Sequence, residues 1–156
     1  MARRGSGNRA EAAILAALVN RGFDVLVPFG EGQPYDLAVD LVGAGCLKVQ
    51  CKTAWRNGGC MRFNTRTTDH GRGRLSYEGH ADIFGVYFPP TEDIYLVPLD
   101  AVASTSGWLR LEPTRNNQKR RIRMAEQYEL ARWTRDALCE VAEGASRERV
   151  ALADVA

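Results

Sequence analysis

Between residues 35 and 55 the chain reads YDLAVDLV, then GAG, then CLKVQCKTAW, and few architectures satisfy both halves at once. In the first half Leu37, Val39 and Leu41 alternate with Asp36, Ala38 and Asp40; in the second, Leu47, Val49 and Cys51 alternate with Lys48, Gln50 and Lys52. A period of two is that of a strand with one apolar face. Two such strands joined by a short glycine turn predict an antiparallel hairpin. In that hairpin the Asp36/Asp40 face and the Gln50/Lys52 face coincide, so carboxylates, an amide and an ammonium share one side of a buried sheet. Burying such groups is costly unless they pair with one another or bind something.

The flanking segments supply the rest of a domain. Residues 6–21 have helical spacing, with Ser6 to cap the start, Ile14, Leu15 and Leu18 on one face, and Gly22 as the stop. Glu11 lies three, four and seven residues before those three, on the same face. It either reaches solvent from the edge of the stripe or meets a partner or a metal there. FDVLVPF (23–29) predicts a first strand, and ADIFGVYF (81–88) and DIYLVPL (93–99) two more, separated by the turn PPTE. Residues 56–80 read as a long polar connection with one short strand near MRFNT, and 109–123 as a basic, partly extended segment. A second helix is expected over about 122–143, with Met124, Tyr128, Ala131, Leu138 and Val141 on its apolar stripe and Gly144 ending it. The order predicts an α/β domain over residues 1–144, a mixed β-sheet flanked by helices, with a C-terminal tail at 145–156 that is a short added helix or disordered.

The length of 156 residues suits one core. No apolar run approaches the roughly 18–20 residues of a membrane span, and no signal-peptide pattern is present. The expectation is a cytoplasmic protein with no membrane partner. The four cysteines form no CxxC pair, and Cys51, Cys60, His70 and His80 match no usual zinc spacing, so reduced thiols are expected.

Net charge is only +2, but it is unevenly spread. Arg56, Arg62, Arg66, Arg72 and Arg74 face a single acid, Asp69, in their segment. Arg110, Arg115, Lys119, Arg120, Arg121 and Arg123 face only Glu112. Such clustering is the footprint of a phosphate-binding surface; a solvated basic face is the plainer alternative, in keeping with arginine outnumbering lysine 18 to 3. Other polar residues rank lower. Asp40 either pairs with Lys48 or binds metal, His70 and His80 belong to the surface, and Glu78 and Asp82 are candidate caps. Trp55, Trp108 and Trp133 are expected as core anchors rather than base-stacking platforms.

Asp36 in PYD, the QCK of residues 50–52 and the helical Glu11 together resemble the PD-(D/E)XK nuclease superfamily, with one residue inserted in the PD element and glutamine in place of the second acid. The aromatic step from Tyr77 to DIFGVYF, IYLVPLD (94–100) and NNQKRRIRMAEQYEL (116–130) extend the likeness to the small nucleases associated with group I introns, a homing-endonuclease group that uses this glutamine. The resemblance covers about residues 6–130. It implies a restriction-endonuclease-like core and hydrolysis of phosphodiester bonds in double-stranded DNA. It implies Mg²⁺ (or Mn²⁺) held by Asp36, Gln50, Glu11 and the Cys51 backbone carbonyl, with Lys52 stabilising the transition state. Arg56, Arg62, Arg66, Arg72, Arg74, Arg115, Lys119, Arg120, Arg121 and Arg123 would then contact DNA, and cutting both strands would call for a homodimer or homotetramer. A Holliday-junction resolvase of the same superfamily and a catalytically inert DNA-binding module are the alternatives.

Overall fold

The computed structural model describes residues 3–30, 32–69, 73–77, 79–114, 120 and 122–154. Helix α1 (Arg3–Asn20) begins three residues before Ser6, which therefore lies inside the helix. It stops as the sequence predicts: Gly22 takes φ +82°, and the Phe23 amide reaches back to the Leu18 carbonyl at 3.2 Å. A positive-φ residue with that six-to-one bond closes the last turn and turns Phe23 back into the core. Three strands follow, β1 (Asp24–Leu26), β2 (Leu37–Asp40) and β3 (Cys46–Thr53). The β2–β3 hairpin pairs antiparallel from Leu37↔Val49 to Asp40↔Cys46.

The segment 56–80 is not a bare connection. It contains most of β4 (Trp55–Asn57), β5 (Cys60–Asn64), β6 (Arg66–Asp69) and β7 (Gly73–Ser76). Then come β8 (Ile83–Phe88), β9 (Asp93–Pro98) and β10 (Ser106–Arg110). The main sheet runs β1-β2-β3-β8-β9, and a second sheet runs β10-β5-β4. Because β3 and β8 are parallel, a crossover must link them; residues 54–82 are that crossover, folded into strands of its own.

The second helix differs from expectation. Residues 125–128 and 130–132 are 3₁₀ turns, and α2 runs from Arg135 to Asp154. It passes Gly144 without a break, so much of the predicted tail is helix. The Met124–Tyr128–Ala131 spacing belongs to the turns, which wrap the chain around β9 with Tyr95 bridged to Glu129.

Two apolar cores lie on the two faces of the main sheet. On one, Ala10, Ile14 and Leu18 of α1 and Leu138 and Ala142 of α2 pack on Leu37, Val39, Leu47, Val49, Ile83 and Leu96. Each fully buried Leu or Ile contributes about 1.5–3 kcal/mol of transfer free energy. Gly85 lets the helix approach closely, since a Cβ there would sit 3.0 Å from both Ile14 and Val49. On the other face, Met61 and Phe63 of β5 and Leu109 of β10 pack on Phe84, Val86, Phe88 and Val97. Here Gly107 pairs with Phe63 across the strands, and a Cβ on it would sit 2.2 Å from Phe63 Cζ, which no real contact allows. Among the described residues no helix is long and apolar enough to cross a membrane.

Candidate active site

One step beyond the last hairpin pair, the register sets Asp36 against Gln50. Asp36 immediately precedes β2, with its amide on the Val49 carbonyl at 3.0 Å. Its carboxylate takes two donors on a single oxygen: the Cys51 amide reaches Oδ2 at 2.7 Å, and Gln50 Nε2 donates to the same atom. Oδ1 has no hydrogen-bond partner among the described residues. Gln50 is buried and Asp36 half-buried, so the pair is partly withdrawn from water.

Lys52 follows Gln50 on the same face. Its ammonium donates to the Tyr77 hydroxyl at 2.9 Å and lies 4.4 Å from the centroid of that ring. A buried tyrosine, braced edge-on by Phe84 at 5.9 Å, thus fixes where the charge sits. In the sequence Tyr77 stands out only as the start of an aromatic step. Nothing in a spacing of 25 residues through a polar crossover shows that it meets Lys52.

Glu11 is half-buried on α1, close enough to Asp36 for their charges to act on each other. Burial, and then the Asp36 charge, raise the Glu11 carboxyl above its usual range. Asp36 is also raised, chiefly by burial; the Cys51 amide, the Lys52 charge and the Gln50 amide oppose that rise without cancelling it. Between them the Cys51 thiol is pushed far up by burial and by both carboxylates, which makes it inert as a nucleophile. Two mutually repelling carboxylates, an amide and hard oxygen donors suit a hard divalent cation. Among the described residues no three His, Cys, Asp or Glu side chains gather into a metal cluster, so the charge offered is modest.

The remaining sequence candidates fall elsewhere. Asp40 accepts the Val42 amide at 3.0 Å, capping the GAG turn, and Lys48 lies over the Tyr35 ring. Asp82 is buried and bound to Arg149 at 2.8 Å. Arg56 is ion-paired with Glu112, Arg66 Nε donates to the Ser104 carbonyl at 2.9 Å, and Arg62 lies between two indoles. Arg120 and Arg123 are exposed. The Arg74 backbone lies in β7. Arg72, Arg115, Lys119, Arg121, His70 and Glu78 fall outside the described residues. Trp55 and Trp108 are 41% and 43% exposed, contrary to the expectation of core anchors; Trp133 does pack against the helical core.

Comparison with known proteins bears on the fold and the family. A bacterial homing endonuclease, I-Ssp6803I, superposes with a TM-score of 0.68 at 25% identity, covering 95% of this chain and 99% of that one. No curated protein sequence matches. The family model described as PD-(D/E)XK endonuclease matches residues 1–131. That span includes Glu11, the Asp36–Gln50–Lys52 hairpin and Tyr77, and the chain belongs to the PD-(D/E)XK endonucleases.

Proposed function

We propose that the protein is a divalent-cation-dependent endonuclease that hydrolyses phosphodiester bonds in double-stranded DNA, of the homing type named for its structural neighbour. The observation that carries this is the Asp36–Gln50–Lys52 face of one hairpin, with Glu11 beside it, inside the family match. Mg²⁺ or Mn²⁺ would be held by Asp36, Glu11, the Gln50 amide oxygen and the Cys51 carbonyl. When bound, such an ion lowers the pKa of a water and neutralises charge on a scissile phosphate. The chain's own groups do the rest. Two donors on Oδ2 fix the Asp36 carboxylate and leave Oδ1 for a ligand. Gln50 presents its Nε2 side to Asp36, because an amide oxygen facing a carboxylate oxygen would be repelled, and its Oε1 is the atom that would serve as an oxygen ligand. Lys52, held by Tyr77, offers a fixed positive charge where negative charge develops on the phosphate.

Basic residues of the 110–123 segment, the exposed Arg120 and Arg123 among them, would meet the DNA backbone, with binding that weakens steeply as salt rises. Double-strand cutting calls for two such sites, hence a homodimer or homotetramer. The test is incubation of duplex and four-way-junction DNA with Mg²⁺, using a broad sequence library. Localised double-strand cuts, lost with Lys52→Ala and Asp36→Asn, support the reading. Symmetric nicks confined to the junction make it a resolvase, and binding without cutting on the whole library makes it an inert binder.

A further inference from the structure

The second sheet turns one face to the main sheet and the other outward. Across that outward face Trp55 of β4 and Trp108 of β10 both lie directly opposite Arg62 of the central strand β5. The Arg62 guanidinium carbon is 4.9 Å from the Trp108 ring centroid and 5.7 Å from that of Trp55. Two tryptophans more than two-fifths exposed are unusual for a small domain, and they flank a cation that meets no carboxylate among the described residues. Arg62 Nε is closed off from solvent and has no hydrogen-bond partner there either. The neighbouring outward positions are Asn57, Cys60, Asn64, Ser106 and Arg110; none is acidic, and the adjacent Glu112 is occupied by Arg56.

The geometry points to this Trp55–Arg62–Trp108 ladder as a stacking platform for an unpaired nucleobase of the DNA strand that continues from the cut. The inference rests on the nuclease reading above. Within a duplex the faces of the bases are already covered by their neighbours, so a flat aromatic and cationic surface gains little from them. A base outside the stack offers its whole π-face, and base–aromatic stacking reinforced by an arginine is how unpaired strands are held. Position fits as well. Trp55 is three residues after Lys52, so their Cα atoms are at most about 11 Å apart, which is about three nucleotide steps at ~3.4 Å along a strand. A staggered cut leaves unpaired bases at that range.

The test compares two labelled duplexes of one sequence, one blunt and one carrying a short single-stranded extension, at low salt with divalent cations withheld. Full-length wild type, Trp55→Ala, Trp108→Ala and Trp108→Phe are measured, each checked for folding by circular dichroism. The wild type is expected to hold the extended duplex about fivefold more tightly or better, with quenched indole emission. Either alanine variant should lose most of that gain while its affinity for the blunt duplex is unchanged; Trp108→Phe should keep most of it. Equal losses on both duplexes, or alanine variants that retain the gain, overturn the platform. A wild type that cuts duplex DNA with Mg²⁺ yet holds both forms equally overturns the platform alone, whereas one that neither binds nor cuts any DNA overturns the nuclease reading with it.

Discussion

Two aspartates take hydrogen bonds from β3 amides, and they are finished differently. Asp82, whose side chain is fully buried, accepts the Lys48 amide on Oδ2 at 2.8 Å and the Arg149 guanidinium on Oδ1 at 2.8 Å. Asp36 accepts the Cys51 amide and the Gln50 side chain on one oxygen, and the other has no partner among the described residues. At Asp82 the charge is neutralised by contact and the carboxylate ties α2 to the sheet. At Asp36 the nearest cation, Lys52, is drawn aside to Tyr77, and burial leaves the carboxyl raised. One carboxylate is complete as a structural element, and the other is held one positive charge short, which is what the proposed cation site asks for.

The largest expected effect lies on the unfinished side. Lys52→Ala should lower the rate of Mg²⁺-dependent cleavage by about 10²–10³-fold, the usual cost of removing one group that stabilises transition-state charge, with the melting temperature little changed. A rate within tenfold of wild type would remove Lys52 from the chemistry. Next comes Asp82→Asn, which strands Arg149. With Arg149 still 30% exposed, the loss should be about 2 kcal/mol, below the ~3–5 kcal/mol of a fully buried pair. That lowers Tm by about 4–8 °C, read by calorimetry.

Asp36→Asn should move stability the other way, raising Tm in chelator while removing any stabilisation by added Mg²⁺. The sign follows from the raised carboxyl. A group that binds its proton more tightly folded than unfolded destabilises the fold at neutral pH. That penalty fades as pH falls through the folded value and is gone below the unfolded one of about 3.9. The advantage of the asparagine variant should therefore shrink on acidification, and melts of both proteins across pH check it; an advantage that grows instead would refute the comparison. The smallest effect is Tyr77→Phe, which keeps the ring and removes the hydroxyl. A single lost hydrogen bond to a charged group predicts a rate about tenfold lower, with Tyr77→Leu worse.

How much of this was legible depended on whether the partners lie near one another in sequence. The β2–β3 hairpin and the meeting of Asp36 with Gln50 follow from alternation around one glycine turn. Strands β8 and β9 were legible as unbroken apolar runs. Within the crossover only the short strand near MRFNT, which is β5, was legible; β4, β6 and β7 were not, because three- and four-residue strands rich in Arg, Thr and Gly carry no apolar alternation. Trp55 and Trp108 looked like core residues because indoles usually are, and only a register joining strands far apart shows that Arg62 lies between them. Gly144 misled as a helix stop: it has open space around it, and the favourable residues on either side carry α2 through. The Asp82–Arg149 pair spans 67 positions and leaves no local trace.

Strand β3 is bordered by two closures of very different length, and this fixes an order of assembly. Its pairing with β2 closes over residues 41–45, an event of the microsecond class for hairpins. Its pairing with β8 must wait for residues 54–82, a longer and entropically costlier loop, and parallel contacts of that separation slow folding. The two residues of Asp36–Gln50 can therefore meet through a short closure, whereas Tyr77 reaches Lys52 only when the crossover has closed. The lysine's partner thus depends on the slower of the two closures, so nuclease activity should recover no faster than the crossover closes.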